Sequence, residues 1–265
     1  MKASDDMKTS IFSWFGYIMP IQERLKIIKQ AGFDGAILWW EDEIYPNLVE
    51  KRHMPDLVAK EGLFLENIHT PFTDINDLWS VDNERRREVV QRYKRYVEDC
   101  RRFSIPTMVV HCTDVGSEKN SFSAGIESFE DLTEYAEKNR IKIAVENTRD
   151  HQLVEEVLKR IPSDYLGLCY DSSHDWLGEQ SRGELLRLNV DRVFASHLSD
   201  NDGKKDRHWI LGDGYVDWKK IGNLMKQTPA EYFAMELTGS KEEIQDPEEF
   251  LAKAHQSWKK VFDQE

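Results

Sequence analysis

The stretch "IKIAVEN", residues 141 to 147, contains an apolar run that ends at a glutamate and an asparagine. Its isoleucines and valine are β-branched, and β-branched residues favour strands. A short apolar run of this kind is typical of a buried strand. The stretch therefore predicts a strand with Glu146 near its carboxyl end.

The same pattern recurs from one end of the chain to the other, and each strand candidate is followed by an amphipathic stretch. The clearest helix pattern runs from Glu84 to Phe103, and the last begins near Asp246. Eight alternations predict an α/β fold, a (β/α)8 TIM barrel, with a doubly wound open sheet as the less favoured alternative. The predicted strands are residues 10–15, 35–40, 64–70, 107–112, 141–147, 167–171, 192–198 and 232–237.

Composition sets limits on the class of protein. The chain has 265 residues, of which 40% are hydrophobic, and it contains 8 Trp, 9 Tyr and 12 Phe, as expected of a globular protein. No Pro/Gly/Ser-rich linker interrupts it, so we expect a single domain over residues 1–265. The net charge of −13 disfavours nucleic acids and anionic membranes as partners. A homo-oligomer stays open.

The three cysteines, Cys100, Cys112 and Cys169, form no CxxC pair, so neither a disulfide framework nor a thiolate metal site is expected. We expect them to be reduced and buried. The first residues, "MKASDDMKTSIF", lack the apolar segment of a signal peptide, and no apolar run approaches the roughly 20 residues of a membrane span. The predicted location is the cytoplasm.

Histidines and acidic residues fall at the carboxyl ends of six predicted strands. They are His69, His111, Glu146, Asp171, His197 and Glu236. In a barrel these ends converge on one mouth, where barrel enzymes carry their active sites. The stretch "DSSH" adds His174, and the loop "SHLSDNDGKKDRHWILGDG" (196–214) adds Asp206 and His208, which makes nine candidate ligands.

Carboxylates and imidazoles are ligands for zinc, manganese or magnesium. A single buried histidine or aspartate is more often just a hydrogen-bonded residue, but six at corresponding strand ends favour a metal site. A set with three carboxylates and one imidazole suits Mn²⁺ or Mg²⁺ and tolerates Co²⁺ or Zn²⁺. That set is Glu146, Asp171, His197 and Glu236. The outer residues could bind a second or third ion, bind substrate, or orient the ligands.

At these residues the sequence resembles the xylose isomerase-like TIM barrel superfamily, in particular its sugar phosphate isomerase/epimerase branch, which includes inosose dehydratases and ketose 3-epimerases. The motifs that carry the resemblance are "NIHTPF" (67–72), "VVHCTD" (109–114), "IAVENT" (143–148), "GLCYDSSHDW" (167–176), "SHLSDNDGKKDRHWILGDGYVDW" (196–218) and "FAMEL" (233–237). The resemblance implies one divalent ion held by Glu146, Asp171, His197 and Glu236. It also implies that His174 and Arg207 contact substrate oxygens.

The resemblance further implies that the two glutamates move protons. The expected substrate is a neutral sugar or polyol whose carbonyl and adjacent hydroxyl bind the metal. One of Glu146 and Glu236 would remove a proton to form an enediolate, and the other would return it, which gives isomerisation or epimerisation. Aromatic residues near strand ends are candidates to wall the pocket. These are Trp14, Phe15, Trp39, Trp40, Phe72 and Trp176.

Two other functions are compatible with the sequence. The superfamily includes the endonuclease IV abasic-site nucleases, whose three zinc ions use nine ligands, and all nine have counterparts here. However, the glycine-rich continuation after the strand-five glutamate in those nucleases is replaced by "ENTRDHQ" (146–152), and their N-terminal glycine-histidine element by "SWFG" (13–16). The third alternative is a non-catalytic sugar-binding barrel.

Overall fold

The computed structural model describes residues 7–114, 121–148, 150–177 and 182–263. Within these ranges it contains eight β-strands and nine α-helices. The strands are β1 (Lys8–Phe12), β2 (Gly35–Trp39), β3 (Phe64–His69), β4 (Thr107–His111), β5 (Lys142–Glu146), β6 (Leu166–Asp171), β7 (Val193–His197) and β8 (Tyr232–Met235). The helices are α1 (Ile21–Gln30), α2 (Met54–Lys60), α3 (Asn83–Arg102), α4 (Phe122–Asn139), α5 (His151–Arg160), α6 (Ser172–Trp176), α7 (Glu184–Leu188), α8 (Trp218–Met225) and α9 (Pro247–Phe262).

The eight strands form one parallel sheet in the order β7-β6-β5-β4-β3-β2-β1-β8. Its two outer strands, β7 and β8, meet just past the end of β7. There the backbone N–H of Leu198 donates to Ala234 O (2.9 Å), and the N–H of Glu236 donates to Leu198 O (3.2 Å). These bonds bring the sheet close to full closure and confirm the predicted TIM barrel.

All eight predicted strands are present, with small differences at their ends. The largest concerns β1, which spans 8–12 where 10–15 was predicted. Beyond Phe12 the chain turns away from the sheet, and Gly16 has a left-handed φ of +92°. A Cβ at Gly16 would lie 2.4 Å from Thr238 O, so only glycine allows this turn to pass so close to the segment after β8.

Helix α3 shows why the helices pack on the outside of the barrel. Its buried residues recur at intervals of three and four and include Val90, Tyr93 and Val97. Asp82 caps it by accepting a hydrogen bond from Glu84 N (2.9 Å). The pattern predicted this helix to within one residue at either end.

The three cysteines are free and buried, as predicted. None of the described helices is both long and apolar enough to cross a bilayer.

Candidate metal centre

The four predicted metal ligands converge at the carboxyl ends of β5 to β8. Glu146 and Asp171 are the last residues of their strands, and Asp171 lies beside His197 in the parallel register. Glu146, Asp171 and His197 are almost fully buried, whereas the Glu236 side chain is 20% exposed. Each of the four offers a ligand atom within 4.8 Å of the other three. The barrel thus assembles a ligand set from residues 90 positions apart in the sequence.

The Glu146 carboxylate lies at the centre of a group of four imidazoles. Its Oε2 is 3.1 Å from His69 Nε2, 3.2 Å from His197 Nδ1 and 3.5 Å from His111 Nε2. Its Oε1 is 3.4 Å from His174 Nδ1. Three of these residues, His69, His111 and Glu146, form a second group with ligand atoms within 4.8 Å of one another.

Asp206 bridges two further candidate ligands, His174 and His208. Its Oδ2 lies 3.0 Å from His174 Nε2 and 2.9 Å from His208 Nε2, and its Oδ1 accepts a 2.6 Å hydrogen bond from Ser173 Oγ. His208 Nδ1 is 3.1 Å from Glu236 O. All nine candidate ligands therefore lie at the same end of the barrel, as the sequence predicted.

The electrostatics of this centre favour positive charge. Burial by itself would raise the pKa of Glu146, but the charges of His197 and His111 hold it well below its usual range. Burial also opposes the charged imidazole of His197, yet Cys169, Glu146 and Glu236 beside it raise its pKa well above the ordinary value. A bound cation would meet the same attraction.

Asp171 has a buried carboxylate oxygen that could bind a cation. Its Oδ1 accepts from His174 N (2.7 Å) and caps α6, while its buried Oδ2 has no hydrogen-bond partner among the described residues. Burial, reinforced by the neighbouring carboxylates, raises the pKa of Asp171 to about 7. A free oxygen among acidic groups is the donor that a hard divalent ion requires, so these residues fit such an ion.

Two cavities adjoin the centre, and Phe72 lines both. The first, which we call the polar cavity, has a volume of about 610 Å³. Its lining includes His111, Thr113, Thr148, His174, Lys204 and Asp206. The second, the aromatic cavity, has a volume of about 410 Å³ and reaches Glu236. Its lining includes Phe12, Trp14, Arg24, Trp39, Glu43 and Met54.

The predicted pocket aromatics divide between the cavities and the core. Trp14, Trp39 and Phe72 line the aromatic cavity as expected. Trp40 and Trp176 do not: both are buried away from it, and Trp40 Nε1 donates to Asp99 on α3 (2.8 Å). Adjacent strand residues point to opposite faces, so Trp39 enters the mouth while Trp40 faces the helices.

Phe15 and Arg207 also differ from the prediction. Phe15 is fully buried and stacks on Phe250 at 6.2 Å, so it belongs to the core. Arg207 lines neither cavity, because its guanidinium binds Asp202 at 2.8 Å within its own loop. The structure therefore gives no support to a substrate contact by Arg207, and Lys204 from the same loop lines the polar cavity instead.

One residue that organises this loop escaped the sequence reading. The buried carboxylate of Asp200 accepts hydrogen bonds from Gly212 N (2.9 Å), Val216 N (3.0 Å) and Trp218 Nε1 (2.8 Å). Gly214 lies so close that a Cβ there would be 2.4 Å from Asp200 Oδ1. The pattern "GDG" that follows Asp200 was the available signal for this anchor.

The fold and the site define a TIM-barrel protein with carboxylates and histidines gathered at the carboxyl ends of its strands. The chain belongs to the xylose isomerase-like TIM barrel family, whose model matches residues 25–261. This match bears out the resemblance seen in the motifs.

Known proteins with similar sequences or structures include sugar enzymes and nucleases. An uncharacterised protein of Sinorhizobium fredii is 27% identical over 84% of this chain and 84% of its own length. A probable endonuclease 4 of Mycoplasma mycoides is 26% identical over 60% of this chain and 62% of its own. An inosose isomerase of Bacillus licheniformis is 24% identical over 51% and 55%. The structure of D-allulose 3-epimerase from Methylomonas sp. with D-allulose superimposes with a TM-score of 0.78, 97% coverage of both chains and 14% identity, which shows a shared fold.

Proposed function

We propose that this protein is a divalent-metal-dependent sugar isomerase or epimerase that works by proton transfer through two glutamates. The observation that carries the proposal is the placement of the two carboxylates. Glu146 Oε2 and Glu236 Oε2 lie 3.2 Å and 3.1 Å from the same imidazole nitrogen, His197 Nδ1. Two carboxylates beside one ligand set are the arrangement that a two-base proton transfer needs.

The ion would be held by Glu146, Asp171, His197 and Glu236. When bound, it would supply Lewis-acid stabilisation of negative charge on the substrate oxygens. The unpartnered Oδ2 of Asp171 and the common 4.8 Å spacing of the four ligand atoms support this assignment. Mn²⁺, Mg²⁺, Co²⁺ and Zn²⁺ all accept such a set, and His69 and His111 could hold a further ion with Glu146.

The chain's own groups can then move the proton. Without the ion, the charge of His197 keeps both carboxyls ionised despite burial, with the pKa of Glu236 lowered to about 2. Once His197 binds the ion as a neutral imidazole, the charge of the ion would take over this role. Either one can accept a proton from the carbon next to the substrate carbonyl. Glu236 lines the aromatic cavity, and its side chain is the most exposed of the four ligands. We therefore assign the first proton abstraction to Glu236 and the proton return to Glu146.

The polar cavity suits a neutral sugar or polyol. Thr113 and Thr148 bring hydroxyls to it, and His174 is held there by Asp206 at 3.0 Å. The hydroxyl of Thr148 donates to Thr113 O and can accept from a substrate hydroxyl, whereas the hydroxyl of Thr113 can donate or accept. The fold shared with a D-allulose 3-epimerase and the sequence similarity to an inosose isomerase support the same substrate class.

The experiment is a screen of the Mn²⁺-loaded protein against ketoses, inososes and their phosphates, with binding followed by thermal shift and products separated by chromatography. We expect conversion of at least one sugar to an isomer or epimer, abolished by Glu146→Gln. Binding without conversion across the panel would favour the non-catalytic sugar-binding barrel. If no sugar in the panel is bound or converted, the proposal is contradicted.

An abasic-site nuclease is the second candidate, favoured by one observation. The group of His69, His111 and Glu146 and the bridging of His174 and His208 by Asp206 give more ligands than one ion needs. The net charge of −13 opposes binding to a phosphate backbone. We expect no efficient cleavage of an abasic duplex with Zn²⁺ or Mn²⁺ in a gel assay. Incision that is lost in Glu146→Gln would reverse the ranking.

A further inference from the structure

The aromatic cavity has features that a monosaccharide bound over the metal ligands does not require. It lies on the β1 to β3 side of the mouth, whereas the polar cavity lies on the β4 to β7 side. Glu236 lies at the edge of the aromatic cavity nearest the metal ligands. At about 410 Å³, it has a volume typical of a small-molecule site in its own right.

Flat aromatic faces make up much of this cavity. Trp14 is 40% exposed, so its indole remains available to a ligand. Trp39 lies edge-on to Phe72, with ring centroids 5.6 Å apart. Aromatic faces of this kind pack against the C–H groups of sugar rings as readily as against apolar groups.

A buried ion pair distinguishes the cavity from a purely apolar pocket. Arg24 on α1 is 1% exposed and pairs with Glu43, and its Nη1 donates to Met19 O at 3.1 Å. Two buried atoms of this pair, Arg24 Nε and Glu43 Oε1, have no hydrogen-bond partner within the part of the chain that the structure describes. One is a donor and the other an acceptor, and a buried polar atom without a partner is unfavourable.

The pair is held rigidly, as a binding site requires. The backbones of Glu43 and Val49 exchange two hydrogen bonds of 2.9 and 2.8 Å, which fixes the segment that carries Glu43. The Arg24 guanidinium carbon also lies 5.4 Å from the Trp14 ring centroid. The donor, the acceptor and one aromatic face therefore form a single unit.

We infer that the aromatic cavity is a subsite for a second sugar ring, so that the substrate is a glycoside of the reacting sugar. Both unpartnered atoms are buried in the cavity wall, so a small movement of the Glu43 side chain, which is 18% exposed, would let a sugar hydroxyl donate to Glu43 Oε1 and accept from Arg24 Nε while the ring face packs on Trp14. This inference rests on the proposed function, in which the reacting carbonyl would lie beside Glu236. An aliphatic ligand would leave both polar atoms unsatisfied.

The test compares D-fructose with four of its glucosyl derivatives: turanose, maltulose, leucrose and isomaltulose. Dissociation constants are measured by calorimetry with the full-length, Mn²⁺-loaded protein. We expect at least one glucoside to bind at least about tenfold more tightly than fructose, the effect of one hydrogen bond to a charged group.

Glu43→Gln and Trp14→Ala should each shrink this ratio of dissociation constants toward one. Glu50→Gln is the matched control, because Glu50 follows on the same segment, pairs with Arg52 and does not line the cavity. It should keep the full ratio. Circular dichroism confirms that each variant is folded.

The subsite is overturned if no glucoside binds more tightly than fructose. It is also overturned if Glu43→Gln and Trp14→Ala leave the ratio of the dissociation constants unchanged. Conversion of monosaccharides in the earlier screen reports separately on the metal centre. The subsite can thus fail while the proposed function stands.

Discussion

Two glutamates inside the same barrel have opposite environments. Glu146 lies at the carboxyl ends of the strands among four imidazoles, which hold its pKa well below the usual range despite burial. Glu66, in β3, lines a cavity bordered by Thr107 and Lys142, the first residues of β4 and β5. Burial raises the pKa of Glu66 to about 8, and the Ser10 side chain, the charge of His197 and the Asn67 side chain offset only part of this.

The comparison teaches that burial alone does not make a carboxyl functional. Ser10 and Asn67 lie near the Glu66 carboxyl, but among the described residues none bonds either oxygen with good hydrogen-bond geometry, so burial favours the neutral form. Glu146, equally buried, stays ionised because imidazoles surround it. Of these two buried carboxyls, Glu146 at the carboxyl-terminal mouth is therefore the one prepared to hold a cation.

The largest expected effect concerns metal binding at that mouth. Wild-type protein should carry about one divalent ion per chain, and Asp171→Ala and His197→Ala should lose it, since four convergent ligands are needed for tight binding. Elemental analysis after gel filtration measures this. Glu66→Gln is the control and should retain the ion. Equal metal content in all four proteins would contradict the site.

The second effect concerns the free energy of unfolding and depends on Glu66, at the amino-terminal end of the barrel. The folded-state pKa of Glu66 lies near 8, above the value of about 4.5 for an exposed glutamate. Between these values the folded protein keeps a proton that the unfolded chain has released, so stability falls as pH rises toward 8. Glu66→Gln removes this loss, which by linkage is at most about 5 kcal/mol.

Urea unfolding at pH 5, 7 and 9 checks the sign of this effect. Glu66→Gln should resemble wild type at pH 5 and be increasingly more stable toward pH 9. If the free energies of unfolding of the two proteins run parallel across the range, Glu66 keeps an ordinary pKa and the contrast with Glu146 is wrong.

A smaller effect is expected in the loop that covers the metal centre. Asp200→Asn should destabilise the protein by about 1–3 kcal/mol, because the amide cannot accept all the hydrogen bonds that the buried carboxylate accepts. Thermal unfolding measures the change. Asp202→Asn, in the same loop, also weakens hydrogen bonds from Lys204 N, Lys205 N and Arg207, but its side chain is 21% exposed and water can replace them, so it should change stability less. Equal effects of the two variants would show that Asp200 is not the anchor.

The sequence predicted correctly those features that follow from the barrel topology. A strand pattern is local, and once eight such patterns imply a barrel, residues at the strand ends must meet, which placed Glu146, Asp171 and His197 together. The prediction of pocket residues failed where a shift of one position along the strand decides whether a side chain faces the mouth or the helices. Trp40 follows Trp39 directly, and the alternation of side chains turned it to the helices.

Two other features had no signal in the sequence. Glu66 lies where the register between β2 and β3 shifts, so its pairing could not be read from the pattern of "FLENIHT" (64–70). Arg24 lies in α1 and Glu43 in the loop after β2, 19 residues apart in the sequence. Only the fold brings them into contact.

In the proposed mechanism Glu146 and Glu236 transfer a proton at a carbon next to a carbonyl. Its most direct test is proton NMR in D₂O with the sugar found in the screen, for wild type, Glu146→Gln and Glu236→Gln, each with its metal content measured. Wild type should introduce deuterium at that carbon, and each variant should slow turnover by about 10²- to 10⁴-fold, the usual loss when a general base is removed. Wild-type turnover by both variants, with metal still bound, would contradict the account.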